Sequence, residues 1–372
     1  MERERGITVI AQTASMLYRH QVHKAEELIS EEDYILNLID TPGHVDFSYQ
    51  VSRSIRACEG ALLIVDATKG IQAQTISNFY KAFDAGLQII PIVNKVELQA
   101  ADVAGTVQQL KEQFDFEEEE MLFISAKTGH NVDQVFDAII DRVPPPLNLE
   151  MQHTQVHTSE ADKLSKSAEK LENKQVHDVI DAEESSESEN HLKAFLFDAR
   201  YVPNRGVACL IKIMAGGQLD WAKLKFLTSY HTGIKYDLYD VGIVQPQMKK
   251  TGYLPQGQVG YFLSNMKSVS EAHIGDTFFD DKVSKEQIRP FPGYETPQSM
   301  VYSGIYPEDP DDYEELEKSL KKLCLTDGSI SISYESSAAL GSGFRCGFLG
   351  MLHLDVFRQR LVDEYDMSAI IT

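Results

Sequence analysis

A short polar motif after the first strongly apolar segment constrains this chain most. Residues 40–44 read Asp-Thr-Pro-Gly-His and follow the apolar run 35–39, which predicts a strand that ends at Asp40 and a helix soon after His44. At such a strand end an aspartate can hold Mg²⁺ through water, the N–H of Gly43 can face a γ-phosphate, and a histidine can orient an attacking water. The motif therefore indicates a triphosphate site, although Pro-Gly is also ordinary turn chemistry.

Two further polar segments follow later apolar strands, which is where open parallel sheets bind ligands. They are Asn94-Lys95-Val96-Glu97 and Ser125-Ala126-Lys127. Asn94 and the Glu97 carboxylate can hydrogen-bond to a base edge, while the Lys95 stem can lie along the ring. The N–H of Ala126 can meet a carbonyl oxygen, so together the segments favour guanine. Each one alone is an ordinary surface turn or helix entry, but their order along the chain argues against coincidence.

These three segments resemble the nucleotide motifs of the GTPase domain of translation factors. By the same resemblance, residues 4–8 (Glu-Arg-Gly-Ile-Thr) are similar to the first switch of that superfamily, a loop that orders with GTP and relaxes after hydrolysis. The resemblance implies GTP and GDP as ligands, Mg²⁺ held by Thr8 and Asp40, and His44 as the catalytic residue. Taken alone, residues 4–8 are typical of a charged, solvated terminus.

A glycine-rich segment near the carboxyl end, Ala339–His353, closely resembles the signature of LepA, also called elongation factor 4. The resemblance covers residues 1–372 apart from one insert, although the family has an aromatic residue where Ser342 stands. It implies a ribosome-associated GTPase that acts on elongating or stalled ribosomes, with ribosomal RNA, ribosomal proteins and tRNA as partners. Without the resemblance, the segment predicts a tight turn that enters an amphipathic helix (Leu349, Leu352, Val356, Leu361).

Two departures from the family concern the chemistry directly. The chain contains no Gly-Lys dipeptide, so the phosphate-binding loop G-x-x-x-x-G-K-[ST], which the family carries upstream of its first switch, is missing. We expect the chain as given to bind GTP poorly and to begin at an internal methionine. Glu97 stands where the family has aspartate, which predicts weaker guanine selectivity. The alternative hypothesis is a non-enzymatic ribosome-binding module or regulatory paralogue.

Charge and cysteine content limit the partners and the compartment. The chain has 35 basic and 57 acidic residues, a net charge of −22, so contact with a phosphate-rich ribosome must be local. Four cysteines without metal-site spacing indicate free or buried thiols in a reducing compartment. We expect a monomer without a transmembrane span, and leave peripheral membrane association open. The expected location is the mitochondrial matrix or the matrix face of the inner membrane, with a bacterial cytoplasm or a plastid as alternatives.

The pattern of apolar runs predicts a multi-domain protein. Residues 1–147 should form an α/β parallel-sheet GTPase domain of the P-loop NTPase type without its loop. Residues 191–290 should form a β-barrel, and residues 291–372 an α+β sandwich. Residues 148–190 should be an acidic linker, since 151–190 holds ten acidic and four basic residues and no aromatic, glycine or proline. The later domains of the family are expected to be absent. In the first domain, strands are predicted near 35–39, 61–66, 87–93 and 121–124, and helices near 45–58, 72–85, 100–114 and 131–142.

Overall fold

The computed structural model of the chain describes residues 8–24, 27–146, 191–292 and 298–372. The predicted acidic linker lies outside these residues, as does most of the segment that resembles the first switch. Within the described residues the strands form five separate sheets. Three units are built around them: residues 8–146, 191–292 and 298–372.

A long antiparallel hairpin opens the first unit. It consists of β1 (Gln12–Lys24) and β2 (Glu27–Asp40), and Gln12 lies opposite Asp40. The prediction that residues 35–39 belong to the parallel sheet is therefore wrong. Ile35 is exposed whereas Leu36 is buried, and such alternation is typical of an antiparallel strand with one face on the core.

The hairpin contacts both the rest of the first unit and the second unit. On the first unit, the Tyr18 hydroxyl donates a hydrogen bond to Asp137 at 2.8 Å. On the second, the side-chain amide of Gln258 donates to Asn37 at 2.9 Å, and Asn37 also accepts from Ser15 at 2.7 Å. The hairpin therefore bridges the two units.

The rest of the first unit alternates strands and helices, as predicted. Its three parallel strands lie in the order β3-β4-β5: β3 (Gly60–Asp66), β4 (Gln88–Asn94) and β5 (Leu122–Ile124). The helices are α1 (Ser48–Ile55), α2 (Ala73–Asp84), α3 (Val103–Phe114) and α4 (Val132–Arg142). Ile90, Ile92 and Val93 on the central strand are fully buried, which explains why this strand has an uninterrupted apolar run before its end.

The second unit consists of nine strands. They are β6 (Lys193–Val202), β7 (Gly206–Ala215), β8 (Gln218–Asp220), β9 (Phe226–Ser229), β10 (Lys235–Gln245), β11 (Gln247–Lys250), β12 (Tyr253–Pro255), β13 (Val259–Ser264) and β14 (Thr277–Asp280). The pairing order is β11-β10-β13-β7-β6-β14-β9, and β9 also pairs with β10. Six strands therefore close into a ring, which encloses a core that includes Val207, Ile211 and Phe262.

The third unit has the strand and helix order βαββαβ. Its elements are β15 (Val301–Pro307), α5 (Tyr313–Thr326), β16 (Ser331–Ser337), β17 (Gly341–Phe348), α6 (Met351–Tyr365) and β18 (Ala369–Ile371). The antiparallel sheet has the order β16-β17-β15-β18. Leu316 and Leu320 of α5 and Phe357 of α6 pack with Phe344 and Phe348 of the sheet.

The residues of the glycine-rich segment predict a tight turn that enters an amphipathic helix. The helix is present as α6, but most of the segment is the interior strand β17. A Cβ on Gly343 would overlap the Tyr306 ring, and one on Gly347 would overlap the hydroxyls of Ser299 and Ser331. The glycines leave room for side chains of the neighbouring strands to lie across β17. They serve close packing here rather than a reversal of the chain.

A buried ion pair joins the first unit to the ring. Lys212 of β7 is 2% exposed. Its Nζ donates to the carbonyl oxygen of Ala57 at 3.1 Å and pairs with the Glu59 carboxylate. A second pair lies beside it, where Arg53 of α1 meets Asp198 at 2.9 Å. Because buried charges need partners, these contacts fix the carboxyl end of α1 on the ring.

Replacement of Glu59 by alanine should strongly destabilise the folded protein, because the Lys212 ammonium would stay buried without its counter-charge. We expect a loss of about 3 kcal/mol in the free energy of unfolding. Urea unfolding followed by the fluorescence of Trp221, the single tryptophan of the chain, measures this. The control is Glu118→Ala, which removes an exposed partner of Lys111 and should cost much less, because water screens an exposed ion pair. Equal losses would contradict the role of Glu59.

Candidate nucleotide site

The carboxyl ends of the parallel strands lie side by side. Asp66 at the end of β3 is level with Asn94 at the end of β4, and Asn94 is level with Ile124 at the end of β5. Ser125 follows directly. Parallel pairing therefore brings three polar side chains to one edge of the sheet, which is where α/β sheets bind ligands.

Asn94 joins two of the predicted motifs. Its Oδ1 atom accepts from the backbone N–H of Lys95 at 2.8 Å and from that of Ala126 at 3.0 Å. Lys95 has a φ of 66°, the left-handed region that a side chain seldom adopts, so the first bond holds an unusual backbone. We expected the Ala126 N–H to meet a guanine carbonyl, and in this structure it donates to Asn94. Glu97 lies further along the loop and is exposed.

The turn after β5 is held by its own hydrogen bonds. Ser125 is fully buried; its hydroxyl accepts from the N–H of Thr128 at 3.2 Å, and its N–H donates to the carbonyl of His130 at 3.1 Å. Ala126 and Lys127 are exposed at the tip. Ser125 therefore acts as an anchor, and the two residues after it form the accessible surface.

Asp66 is a site residue that the sequence interpretation missed. Its carboxylate accepts from the Lys95 ammonium at 2.7 Å, and from the N–H and hydroxyl of Thr68 at 2.9 and 2.7 Å. Burial on its own would raise the pKa of Asp66, but the bonds from Lys95 and Thr68 outweigh it and lower that pKa to about 2. The signal in the sequence was the same as for Asp40, an apolar run that ends in aspartate.

The turn after β2 orients the His44 ring. A 3-10 turn (Val45–Phe47) precedes α1, and His44 caps it by accepting the N–H of Asp46 on Nδ1 at 3.2 Å. A backbone N–H can only donate, so Nδ1 is the acceptor and the neutral ring carries its hydrogen on Nε2. The side chain is 35% exposed, so Nε2 can reach a solvent molecule.

Asp40 and Gly43 lie in the segment just before His44, and Thr8 lies four residues before Gln12, which pairs with Asp40. Asp40 is exposed at the end of β2, and a Cβ on Gly43 would meet nothing within 4 Å, so open space surrounds that part of the turn. The segment that follows Thr8 is tied to α1, because Gln50 bonds to the carbonyl of Val9 at 3.2 Å and to the N–H of Ala11 at 2.9 Å.

The donor set fits Mg²⁺. The two predicted ligands, Thr8 and Asp40, carry a hydroxyl and a carboxylate, and Mg²⁺ prefers oxygen ligands, uses few from the protein and keeps several waters. In the described part of the chain there is no group of three or more His, Cys, Asp or Glu side chains that could hold a metal.

The predicted site residues thus fall into two groups. One surrounds Asn94, Lys95 and Ala126, and the other surrounds His44.

Outside the site, all four cysteines are free thiols, and burial raises the pKa of Cys58 to about 12. Among the helices in the described ranges, none is long and apolar enough to cross a membrane.

The chain is similar in sequence to a known GTP-binding domain and to known translation factors. Residues 1–145 match the model of the elongation factor Tu GTP binding domain. Over 372 residues the chain is 43% identical to the mitochondrial translation factor GUF1 homologue of Arabidopsis thaliana, 44% to that of Sorghum bicolor and 43% to that of Dictyostelium discoideum, and it covers 49%, 49% and 47% of them. The chain therefore spans about half the length of these relatives.

A crystal structure of a Thermus thermophilus protein shares the fold, with a TM-score of 0.67, 15% sequence identity, and coverage of 100% of this chain and 60% of that one. The parallel sheet and its polar carboxyl edge define a GTP-binding domain of the elongation factor Tu type. The chain belongs to the LepA, or elongation factor 4, family, together with the GUF1 homologues. The resemblance predicted from its motifs is confirmed.

The Asp66 ion pair should give the first unit a pH-dependent stability. Because the pKa of Asp66 is lowered to about 2, its contribution is present above the ordinary value of about 3.9 and is lost as the pH falls from there towards 2. Melting temperatures of the wild type and Asp66→Asn should therefore differ at pH 6 and converge near pH 2. Asp102→Asn, at the cap of α3, is the matched control. A difference that is constant over this range would contradict the assignment.

Proposed function

We propose that this chain is part of a ribosome-associated GTPase of translation, which hydrolyses GTP to GDP and phosphate with Mg²⁺. The observation that carries the proposal is the edge of the parallel sheet, where Asn94 ties the loop of Lys95 to that of Ala126. This arrangement offers a carboxylate, a lysine stem and an exposed backbone tip at one place, which suits a guanine base. The GUF1 homologues to which the chain is 43 to 44% identical are named translation factors.

The His44 turn is proposed to supply the chemistry. With Nδ1 occupied by the N–H of Asp46, the Nε2 side of the ring is left to orient a water for attack on the γ-phosphate. Gly43 leaves its surroundings open for phosphate oxygens. Thr8 and Asp40 would hold Mg²⁺, which neutralises charge on the phosphates when it is bound.

The two later units are proposed to be a β-barrel and an α+β sandwich, with domain limits at residues 1–147, 191–290 and 291–372. The closed ring of six strands and the βαββαβ sheet support this division. Residues 148–190 are proposed to be a linker on the basis of their acidic composition. Ribosomal RNA and proteins, and tRNA, are the proposed partners of the assembled units.

The proposed location is the mitochondrial matrix or the matrix face of the inner membrane. It is supported by the names of the relatives from Arabidopsis thaliana, Sorghum bicolor and Dictyostelium discoideum, each described as mitochondrial. The protein is proposed to act as a monomer. A non-enzymatic ribosome-binding module is less well supported, because the catalytic histidine turn and the base-reading loops are both present in one folded unit.

Replacement of His44 by alanine should slow ribosome-stimulated GTP hydrolysis by about 10² or more and leave GTP affinity nearly intact, because a water-orienting group acts mainly in the transition state. The protein to test is a fusion that places a phosphate-binding loop ahead of Met1, assayed with purified mitochondrial ribosomes. His231→Ala, an exposed histidine of the second unit, is the control. A parallel loss of affinity and rate would make His44 a structural residue.

Replacement of Glu97 by aspartate should tighten GTP binding in the same fusion by about tenfold, or roughly 1.4 kcal/mol. The shorter side chain would place the carboxylate against the two N–H groups of guanine without folding back, whereas ATP binding should not change. Glu112→Asp on α3 is the matched control. If Glu97→Asp weakens GTP binding, the pocket is built around glutamate, and its treatment as a defect is wrong.

A further inference from the structure

The helix α6 begins without a cap of its own. Its N-cap residue is Gly350, which has no side chain to accept a hydrogen bond from the first turn. The N–H groups of a first helical turn have no partners inside the helix, and an N-cap side chain normally accepts from the second or third residue. Another part of the protein must supply the acceptor.

The acceptor comes from the first unit. The Oδ2 atom of Asp46 accepts from the N–H of Leu352, the second residue of α6, at 2.8 Å. The Asp46 side chain is only 15% exposed. A carboxylate in this position satisfies the N–H group and also interacts favourably with the helix dipole. Asp46 therefore caps a helix that lies about 300 residues further along the chain.

Gly350 is what makes room for this contact. Its φ of −177° is extended backbone that any residue adopts, so conformation does not require glycine there. The lack of space for a side chain does require glycine, because a Cβ on Gly350 would overlap the Asp46 carboxylate. An alanine at this position would push the carboxylate away from the N–H of Leu352.

The same aspartate belongs to the turn that orients the catalytic histidine. Its N–H donates to Nδ1 of His44 at 3.2 Å, and its Oδ1 atom lies 3.6 Å from that nitrogen. The next residue, Phe47, lies beside His353 of α6 with ring centroids 6.0 Å apart. His353 is itself fixed, because its Nε2 is 2.9 Å from the Asp327 carboxylate.

We propose that Asp46 is a positioning residue through which the third unit sets the orientation of His44. While α6 is docked, its first turn holds the Asp46 carboxylate, and the Asp46 backbone holds the imidazole with Nε2 outward. When α6 moves away, Asp46 loses its partner and the turn loses its order, so hydrolysis slows. The inference rests on the proposed hydrolytic role of His44 and adds a regulatory part to it. The docking of α6, which follows the glycine-rich strand, controls the orientation of the His44 ring.

The rate experiment uses the fusion with its added phosphate loop and purified mitochondrial ribosomes, and measures kcat and KM for GTP. Gly350→Ala and Asp46→Ala should each lower kcat about tenfold or more, because a displaced catalytic group loses alignment, and should leave KM within about twofold. Asp46→Asn keeps an acceptor oxygen for Leu352 and should recover most of kcat. The double variant should be no slower than either single one, since both remove the same contact.

Two control variants lie in the third unit. A Cβ on Gly328 would meet only Val269, at an ordinary 3.6 Å, so Gly328→Ala should keep the wild-type kcat. Asp309→Ala removes an aspartate cap from a short helical turn, where the carboxylate accepts from Asp311 at 3.0 Å, and should also keep it.

Hydrogen exchange at the Leu352 amide tests the contact without nucleotide or ribosome. It should be faster in Gly350→Ala and Asp46→Ala than in the wild type, and unchanged exchange would overturn the cap. An inactive wild-type fusion would contradict the proposed function, while the exchange result would still decide the cap. Faster exchange with an unchanged kcat would overturn the positioning role, as would a loss of kcat accompanied by an equal rise in KM.

Discussion

The parallel pairing of β3, β4 and β5 is the constraint on which the rest of the first unit depends. It places Asp66 beside Asn94 and Asn94 beside Ile124 on neighbouring strands, so that all three strands end at the same edge. The interior of the central strand is fully apolar and buried, which leaves the strand ends as the place where polar chemistry can gather. The loops there then hold one another through Asn94 and through the Asp66 ion pair with Lys95.

A second constraint is the position of α1 between the other two units. Its carboxyl end meets the ring through Arg53, and the strand after it begins beside the buried pair of Lys212 and Glu59. The turn before it meets the third unit through Asp46 and Phe47. The short segment from Asp46 to Glu59 thus takes part in both interfaces, and His44 lies directly ahead of it.

The strand ends at Asp40, Asn94 and Ile124 could be predicted because each closes a dense apolar run, and the alternation of strands and helices followed from the same runs. The strand at residues 35–39 is predicted for the wrong sheet, because its partner β1 carries many polar residues and the pairing of β1 with β2 is decided by tertiary contacts. The sequence predicts a turn at β17 because glycine commonly forms turns, whereas here the neighbouring strands need the space. The cap of α6 by Asp46 has no local signal, since the two residues it joins are far apart along the chain.

The hairpin of β1 and β2 has a mechanical consequence. Its thirteen-residue first strand extends for about 40 Å at roughly 3.3 Å per residue. Its pairing with β2 keeps one register from Gln12 to Val22, which makes that part of the hairpin stiff. The hairpin is hydrogen-bonded to α4 through Tyr18 and to the ring through Asn37. The segment just before the hairpin is held by Gln50. A displacement of the segment after Thr8 would therefore act on the second unit through Asn37 and Gln258, without any ligand having to touch that unit.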